Sequence, residues 1–386
     1  MKRVVIRSVG PITEADIQLC QINVIIGPQS LGKSTVLKIA SYCAWVEKRI
    51  ELTQQPESFS ADDFIVPLKT FHRMKDFFNE DSYVFYESDY MKFNYSYVDN
   101  KFDFEWKAGR WDYKRTKVTY IPAERNLVAV IPNWFEVNMG RNNIWNFMSE
   151  WTTARNATTE QLDILNLNVA YKYDSDKGKD VVRIQNGGTL DMTDISSGLQ
   201  SLIPLYVHLN YLCSGLYQTE SLQRIAGKWE NEDLLHKIYE DLFEKRGKIE
   251  NLQSKVTKEI GGVRMQFSNK EYADECEGIY NNYQMTDHCD IFLEEPENNL
   301  FPPTQSRLID WLYDVAMSEH KHTLFIATHS PYVLSTLLEK KSSDVAMFYN
   351  VEKDGKVIVK SASDVEMQTI YDYGVDAFFN IENLSE

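Results

Sequence analysis

The sequence predicts an α/β fold: a mixed central sheet carrying a phosphate loop, with an antiparallel β-subdomain and a helical lobe added to it. Three observations predict this. Ile22-Asn23-Val24-Ile25-Ile26 is a β-branched apolar run suited to a buried strand, and Val36-Leu37-Lys38-Ile39-Ala40 has helical apolar periodicity. Between them, Gly27-Pro28-Gln29-Ser30-Leu31-Gly32-Lys33-Ser34, followed by Thr35, satisfies every fixed position of G-x-x-x-x-G-K-[ST]. Runs near Val4–Ile6, Ile17–Ile26, Val118–Ile121, Asp290–Leu293, Leu324–Ala327 and Val345–Tyr349 supply the remaining strands of the sheet.

The loop motif implies a bound nucleoside triphosphate. Successive backbone N–H groups of such a loop turn inward around the phosphates. Lys33 would reach the β/γ oxygens, and the Ser34 hydroxyl would ligate Mg²⁺. A strand must deliver the chain to the loop and a helix must leave it, so that the helix N-terminus faces the anion. The flanking runs meet both conditions.

Three further segments narrow the chemistry. Asp290-Ile291-Phe292-Leu293-Glu294-Glu295 is an apolar strand ending in two carboxylates, a Walker B arrangement with one acid at the metal and its neighbour beside the attacking water. Leu324-Phe325-Ile326-Ala327-Thr328-His329-Ser330 is a second strand, ending in a histidine able to contact a γ-phosphate. Ser196-Ser197-Gly198-Leu199-Gln200 precedes the apolar helix Ser201-Leu202-Ile203-Pro204-Leu205, which reads either as an anion site or as a plain helix cap.

The order phosphate loop, Ser-Gly-x-Gln, acidic strand, histidine strand resembles the ATP-binding-cassette (ABC) ATPases of the SMC/Rad50 and OLD type. Glu294-Glu295-Pro296-Glu297-Asn298-Asn299-Leu300-Phe301-Pro302 looks like the E-E-P-E-x-x-L-x-P box of the OLD-like branch, and Thr328-His329-Ser330-Pro331 like its T-H-S-P switch. Tyr120-Ile121-Pro122-Ala123-Glu124-Arg125 resembles a further box of these proteins. The resemblance implies a P-loop ABC-type ATPase using ATP and Mg²⁺, with Glu294 at the metal, Glu295 as catalytic base and His329 as γ-phosphate sensor. It also implies that Ser197, Gly198 and Gln200 complete the site of an opposite protomer in a head-to-tail homodimer, with higher assembly open. The sequence departs from the general cassette pattern in having Glu294 where most carry Asp, and Leu199 at the second usual glycine. No Q-loop glutamine is identified; Glu124 or Arg125 stands near that position, either in that role or as a structural ion pair.

Composition bounds the function. With 386 residues and 43% hydrophobic content the chain can bury one large core or two. The expected organisation is a single ABC-type ATPase domain over 1–386, with an aromatic-rich insertion at 44–117 and a helical insertion at 205–284. A net charge of −16 disfavours sequence-independent binding to a phosphate backbone over most of the surface. Five scattered cysteines, Cys20, Cys43, Cys213, Cys276 and Cys289, form no C-x-x-C pair and read as reduced thiols. Met1-Lys2-Arg3-Val4 passes directly into a strand pattern, and no apolar run approaches the roughly twenty residues of a membrane span, so a cytoplasmic protein is expected.

In the first insertion, alternation over Tyr83–Tyr86, Phe93–Tyr97 and Phe102–Trp106 predicts antiparallel strands whose aromatics fill a small core rather than stack on bases. In the second, Leu234, Leu235, Ile238, Tyr239, Leu242 and Phe243 recur at helical spacing and predict an amphipathic helical hairpin, either a docking surface or a lobe packed on its own domain. Lys245-Arg246-Gly247-Lys248 reads as a solvated turn. No D-x-D pair follows Glu352, and Asp372-Tyr373-Gly374-Val375-Asp376 resembles a turn, so no nuclease activity is expected of this chain. By resemblance, stand-alone ATPases of this branch act as sensor subunits for a separately encoded effector in anti-phage systems of the Septu and PARIS types. The alternative is an SMC-like ATP-dependent DNA clamp or repair module; a transporter subunit fits the motifs less well.

Overall fold

The computed structural model describes residues 2–131, 133–185, 187–218, 228–244 and 256–374. The strands are β1 (Lys2–Val9), β2 (Ile12–Leu19), β3 (Ile22–Ile26), β4 (Phe78–Glu87), β5 (Met91–Ser96), β6 (Lys101–Trp106), β7 (Thr116–Ile121), β8 (Leu162–Asp163) and β9 (Val169–Asp174). They continue with β10 (Lys179–Ile184), β11 (Thr189–Asp191), β12 (Val256–Ile260), β13 (Val263–Phe267), β14 (His288–Glu294), β15 (Thr323–Ala327), β16 (Val345–Lys353) and β17 (Lys356–Ser361). Eleven of them form one mixed sheet in the order β6-β5-β4-β1-β2-β17-β16-β3-β15-β14-β7. Within it β7, β14, β15, β3 and β16 run parallel, and β6, β5, β4, β1 and β2 pair antiparallel.

The parallel half explains the apolar runs. All five residues of β3 are buried, as a strand covered on both faces requires. Its alternation assigns Ile22, Val24 and Ile26 to one core and Ile25 to the other. The second core is closed by α1 (Lys33–Thr53), which buries Val36, Leu37, Ile39, Ala40 and Cys43, and by α2 (Ala61–Phe71). Helices Asn143–Ala157, Ser197–Asn210, Pro302–Ala316 and Pro331–Glu339 contribute the other.

The expected single run at Ile17–Ile26 is two strands, because Cys20 and Gln21 turn the chain between β2 and β3. Residues 44–53 lie in α1, and the aromatic strands of the first insertion are the antiparallel β4, β5 and β6. Their inward residues Val84, Tyr86, Met91, Phe93 and Tyr95 are buried against Phe64 of α2 and the main core. β4 pairs with β1, so these strands extend the central sheet instead of closing a sheet of their own. A separate antiparallel sheet, β11-β10-β9-β8, forms from 162–191, where the sequence reading placed no strands.

The second insertion is helical and stranded. Helix Lys228–Tyr239, the β12–β13 hairpin and helix Lys270–Gln284 share a third core around Leu234, Leu235, Ile238, Met265, Phe267 and Tyr280. Tyr283 ties this lobe to α1 by donating from its hydroxyl to Glu51 Oε2 at 2.9 Å, and Arg110 pairs with Asp241 at 3.1 Å. Lys245–Lys248, the side chain of Phe243 and the residues from Val375 onward lie outside the described residues. Asp372 and Tyr373 belong to the helix Asp364–Tyr373, which Gly374 caps, in place of a turn. All five cysteines are free thiols. Among the described residues no helix is long and apolar enough to cross a membrane.

Candidate functional site

β3, β14 and β15 are adjacent and parallel, so their C-terminal ends open on one edge of the sheet. That is where open α/β sheets place their ligands. The phosphate loop follows β3, the paired carboxylates end β14, and the Thr328-His329-Ser330 switch follows β15.

Three left-handed positions shape the loop: Gly27 (φ 147°), Ser30 (φ 67°) and Gly32 (φ 87°). At Gly32 a Cβ would lie 2.6 Å from Ile12 Cδ1 and 2.8 Å from Pro11 Cγ, so only glycine fits. α1 then begins at Lys33 with no acidic residue in its first turn, which leaves the positive helix end available to an anion. Gly27, Pro28, Gln29, Ser30, Leu31, Gly32, Lys33, Ser34 and Thr35 thus occupy the strand–loop–helix turn that their spacing predicts. Lys33 is 6% exposed, and its ammonium donates to the carbonyls of Gly27 and Pro28 at 2.8 Å each. Burial lowers its pKa to about 8, against the opposing charge of Glu295 and Glu297.

Glu294 is buried at the end of β14. Its Oε2 accepts from the Ala123 N–H at 3.3 Å, whereas Oε1 has no hydrogen-bond partner. A buried carboxylate oxygen left unmatched beside the phosphate loop fits a hard cation such as Mg²⁺, with the Ser34 hydroxyl as the other candidate ligand. Glu295 takes a left-handed backbone (φ 43°), with its N–H bonded to the Ala327 carbonyl at 2.8 Å. Burial and the neighbouring carboxylates Glu297 and Glu294 raise its pKa, more than Arg125 and Lys33 lower it. Glu295 Oε1 lies 3.8 Å from His329 Nε2. Burial and the Lys33 charge lower the His329 pKa, so the imidazole is neutral near pH 7.

Three residues without an assigned catalytic role, Arg125, Glu297 and Asn350, hold this constellation. Arg125 is 1% exposed, and its Nη1 and Nη2 donate to the carbonyls of Glu294 and Glu295 at 2.9 and 2.7 Å. It clamps the acidic strand end. Glu124 forms an exposed ion pair with Arg73 at 2.9 Å. Glu297 accepts from Thr328 Oγ1 at 2.9 Å and from the His329 N–H at 2.7 Å, which pins the switch to the acidic loop. Asn350, fully buried in β16, donates to the Leu31 carbonyl and braces the phosphate loop from the side. Its signal in the sequence is one amide inside the apolar run Val345–Val351.

Ser197 and Gly198 begin the helix Ser197–Asn210, with Ser196 as its cap. A Cβ at Gly198 would meet the Asn299 carbonyl at 3.0 Å, and Asn299 Nδ2 donates to Ser201 Oγ at 2.9 Å. Gln200 donates to the Thr193 carbonyl at 3.0 Å. Lys33, Glu294, Glu295 and His329 are brought together, whereas Gly198 lies against the loop after Glu297, Gln200 bonds to the segment before its own helix, and neither these two nor Ser197 makes a hydrogen bond to their own phosphate loop among the described residues.

No protein-family model matches the chain. No curated protein matches it either. Solved structures similar to it include the SMC head domain from Thermotoga maritima, at 9% identity and TM-score 0.44, covering 94% of this chain and 98% of that one. An SMC head bound to the C-terminal winged-helix domain of ScpA is similar at 9% identity and TM-score 0.45, covering 95% and 98%. The recombination mediator RecF is similar at 11% identity and TM-score 0.29, covering 94% and 97%.

Proposed function

We propose that this chain is an ATP-binding and ATP-hydrolysing cassette ATPase of the SMC/Rad50 and OLD type, and that Glu295 is its catalytic base. The observation that carries the reading is the convergence of Lys33, Glu294, Glu295 and His329 on the ends of three adjacent parallel strands. Lys33 would exchange its two loop carbonyls for the β/γ-phosphate oxygens. Ser34 and Glu294 would hold Mg²⁺, which supplies charge neutralisation across the phosphates when bound. Glu295, with its raised pKa, accepts the proton of the attacking water. Neutral His329 offers a donor toward the γ-phosphate and contacts Glu295 from the other strand end.

The protein then closes as a head-to-tail homodimer in which Ser197, Gly198 and Gln200 face the partner's nucleotide, and it acts as a sensor subunit for a separately encoded effector in anti-phage defence. The dimer reading is supported by the packing of Gly198 and Ser201 against the loop after the acidic strand, with no hydrogen bond from Ser197, Gly198 or Gln200 to their own phosphate loop among the described residues. The effector role rests on the E-E-P-E and T-H-S-P boxes.

Glu295→Gln tests the assignment. It should bind ATP, release phosphate at less than about one-hundredth of the parent rate, and accumulate as a dimer by light scattering with ATP and Mg²⁺. Normal turnover in this variant would remove Glu295 as base. Affinity purification of the same variant from its native host tests the partner: a stoichiometric second protein supports the effector role, and nuclease-protected DNA alone replaces it with a DNA clamp.

A further inference from the structure

A cavity of about 320 Å³ opens between α1, α2, β7 and the helix Asn143–Ala157. Tyr42, Trp45, Lys48, Phe71, His72 and Tyr120 are among its walls. The volume is at the small end of ligand sites, about 300–1,000 Å³. Ser41 to Lys48 stand some 12–22 Å along α1 from Lys33, at about 1.5 Å per residue, so the cavity is separate from the phosphate loop.

Its chemistry is aromatic on one side and cationic on the other. The Tyr42 and Trp45 rings stack with centroids 5.5 Å apart and planes 24° apart, and Trp45 is 36% exposed. Lys48 makes no ion pair among the described residues. The nearby carboxylate of Glu150 is already engaged by Lys117 at 2.5 Å, Thr119 at 2.9 Å and His208 at 3.5 Å. Burial and the charges of Lys117 and Arg115 lower the Lys48 pKa to about 8, which leaves it cationic at pH 7.

One wall residue carries a buried polar atom without a partner. His72 is 2% exposed and its Nδ1 is unmatched, whereas the Tyr120 hydroxyl turns toward the Glu294 carboxylate. Such an orphaned atom destabilises a folded chain unless something else meets it. An unpaired cation, an orphaned ring nitrogen and a stacked aromatic pair around one cavity describe a binding site.

We propose that this cavity binds a small planar aromatic acid, with its ring against Tyr42 and Trp45, its anionic group on Lys48, and a remaining polar atom met by His72. Tyr120 connects the cavity to the nucleotide site, because its phenol stands beside the Glu294 carboxylate. A ligand here sits where it can bias the acidic strand end.

Titration calorimetry of the full chain tests the proposal, with indole-3-carboxylate and phenyl phosphate as probes and tryptamine as the cationic control. At least one anionic probe should bind saturably at one per chain, and which one binds identifies the acid group. Lys48→Met and Trp45→Ala should each weaken it at least tenfold, and Lys48→Arg should restore most of the affinity, with melting temperature and ATP-analogue affinity unchanged in the Lys48 variants. The proposal is overturned if neither anion saturates, if tryptamine binds as tightly, or if Lys48→Met binds like the parent.

Discussion

Replacing Arg125 by Lys keeps the charge and removes the fork. A guanidinium reaches the Glu294 and Glu295 carbonyls with two separate nitrogens, at 2.9 and 2.7 Å, and a third contact runs to the Pro296 carbonyl at 3.3 Å. A single tetrahedral ammonium nitrogen on a shorter, flexible stem cannot reproduce that two-nitrogen fork. Hydrogen bonds from a charged donor contribute about 1.5–3 kcal/mol each, so loss of one good bond in Arg125→Lys should cost about 1.5–3 kcal/mol. For a chain of this length that corresponds to about 2–4 °C in melting temperature. The larger effect is on chemistry, because the clamp holds Glu295 in a left-handed backbone (φ 43°) that a non-glycine residue adopts at a cost. A displacement of about 1 Å at a catalytic group can lower a rate about 100-fold. Phosphate release, binding of a fluorescent ATP analogue and thermal denaturation separate these effects. The expected result is kcat down about 10- to 100-fold, nucleotide affinity within twofold, and the modest loss of stability above. Full kcat with unchanged melting would refute the clamp.

The pH profile should be a bell. Glu295 must be ionised and its pKa is raised, so kcat/KM rises with pH through a value above the usual carboxylate range; Lys33 must be charged, so kcat/KM falls above about pH 8 in the free protein. Lys33→Arg should move the alkaline limb upward, and an unmoved limb contradicts its assignment to Lys33. Glu294→Gln should raise the Mg²⁺ concentration needed for half-maximal hydrolysis at least tenfold while leaving metal-free nucleotide binding intact; an unchanged Mg²⁺ titration excludes Glu294 from the metal site. Gly32→Ala, whose Cβ would meet Ile12 and Pro11 at φ 87°, should weaken nucleotide binding more than tenfold, and native affinity would show that the loop does not cradle phosphate.

The parts of the site that were legible in the sequence are those whose geometry is local. A glycine at φ 87° ahead of Lys33 and Ser34 needs only its own strand and helix, so eight consecutive residues specify the turn. The strand ends at Glu294 and His329 were legible for the same reason: an apolar run buried on both faces must stop where polar side chains begin. The aromatic alternation over 83–106 likewise specified paired strands with one inward face.

Tertiary structure decided what those pieces meet. β4 could close a small sheet or extend a large one with identical alternation, and its pairing to β1, some eighty residues earlier in the chain, made the choice. The β12–β13 hairpin was read as helix because five-residue strands flanked by amphipathic helices leave little periodicity of their own. Arg125, Glu297 and Asn350 act through partners distant in sequence: Arg125 on Glu294 is a separation of 169 residues, and Asn350 on Leu31 one of 319. Sequence alone determined which backbone turns and which acids this chain carries, because steric limits on φ and the burial of apolar strands act on neighbours. Which buried donor meets which carbonyl was decided only when the sheet closed, because that pairing satisfies polar groups brought together from opposite ends of the chain.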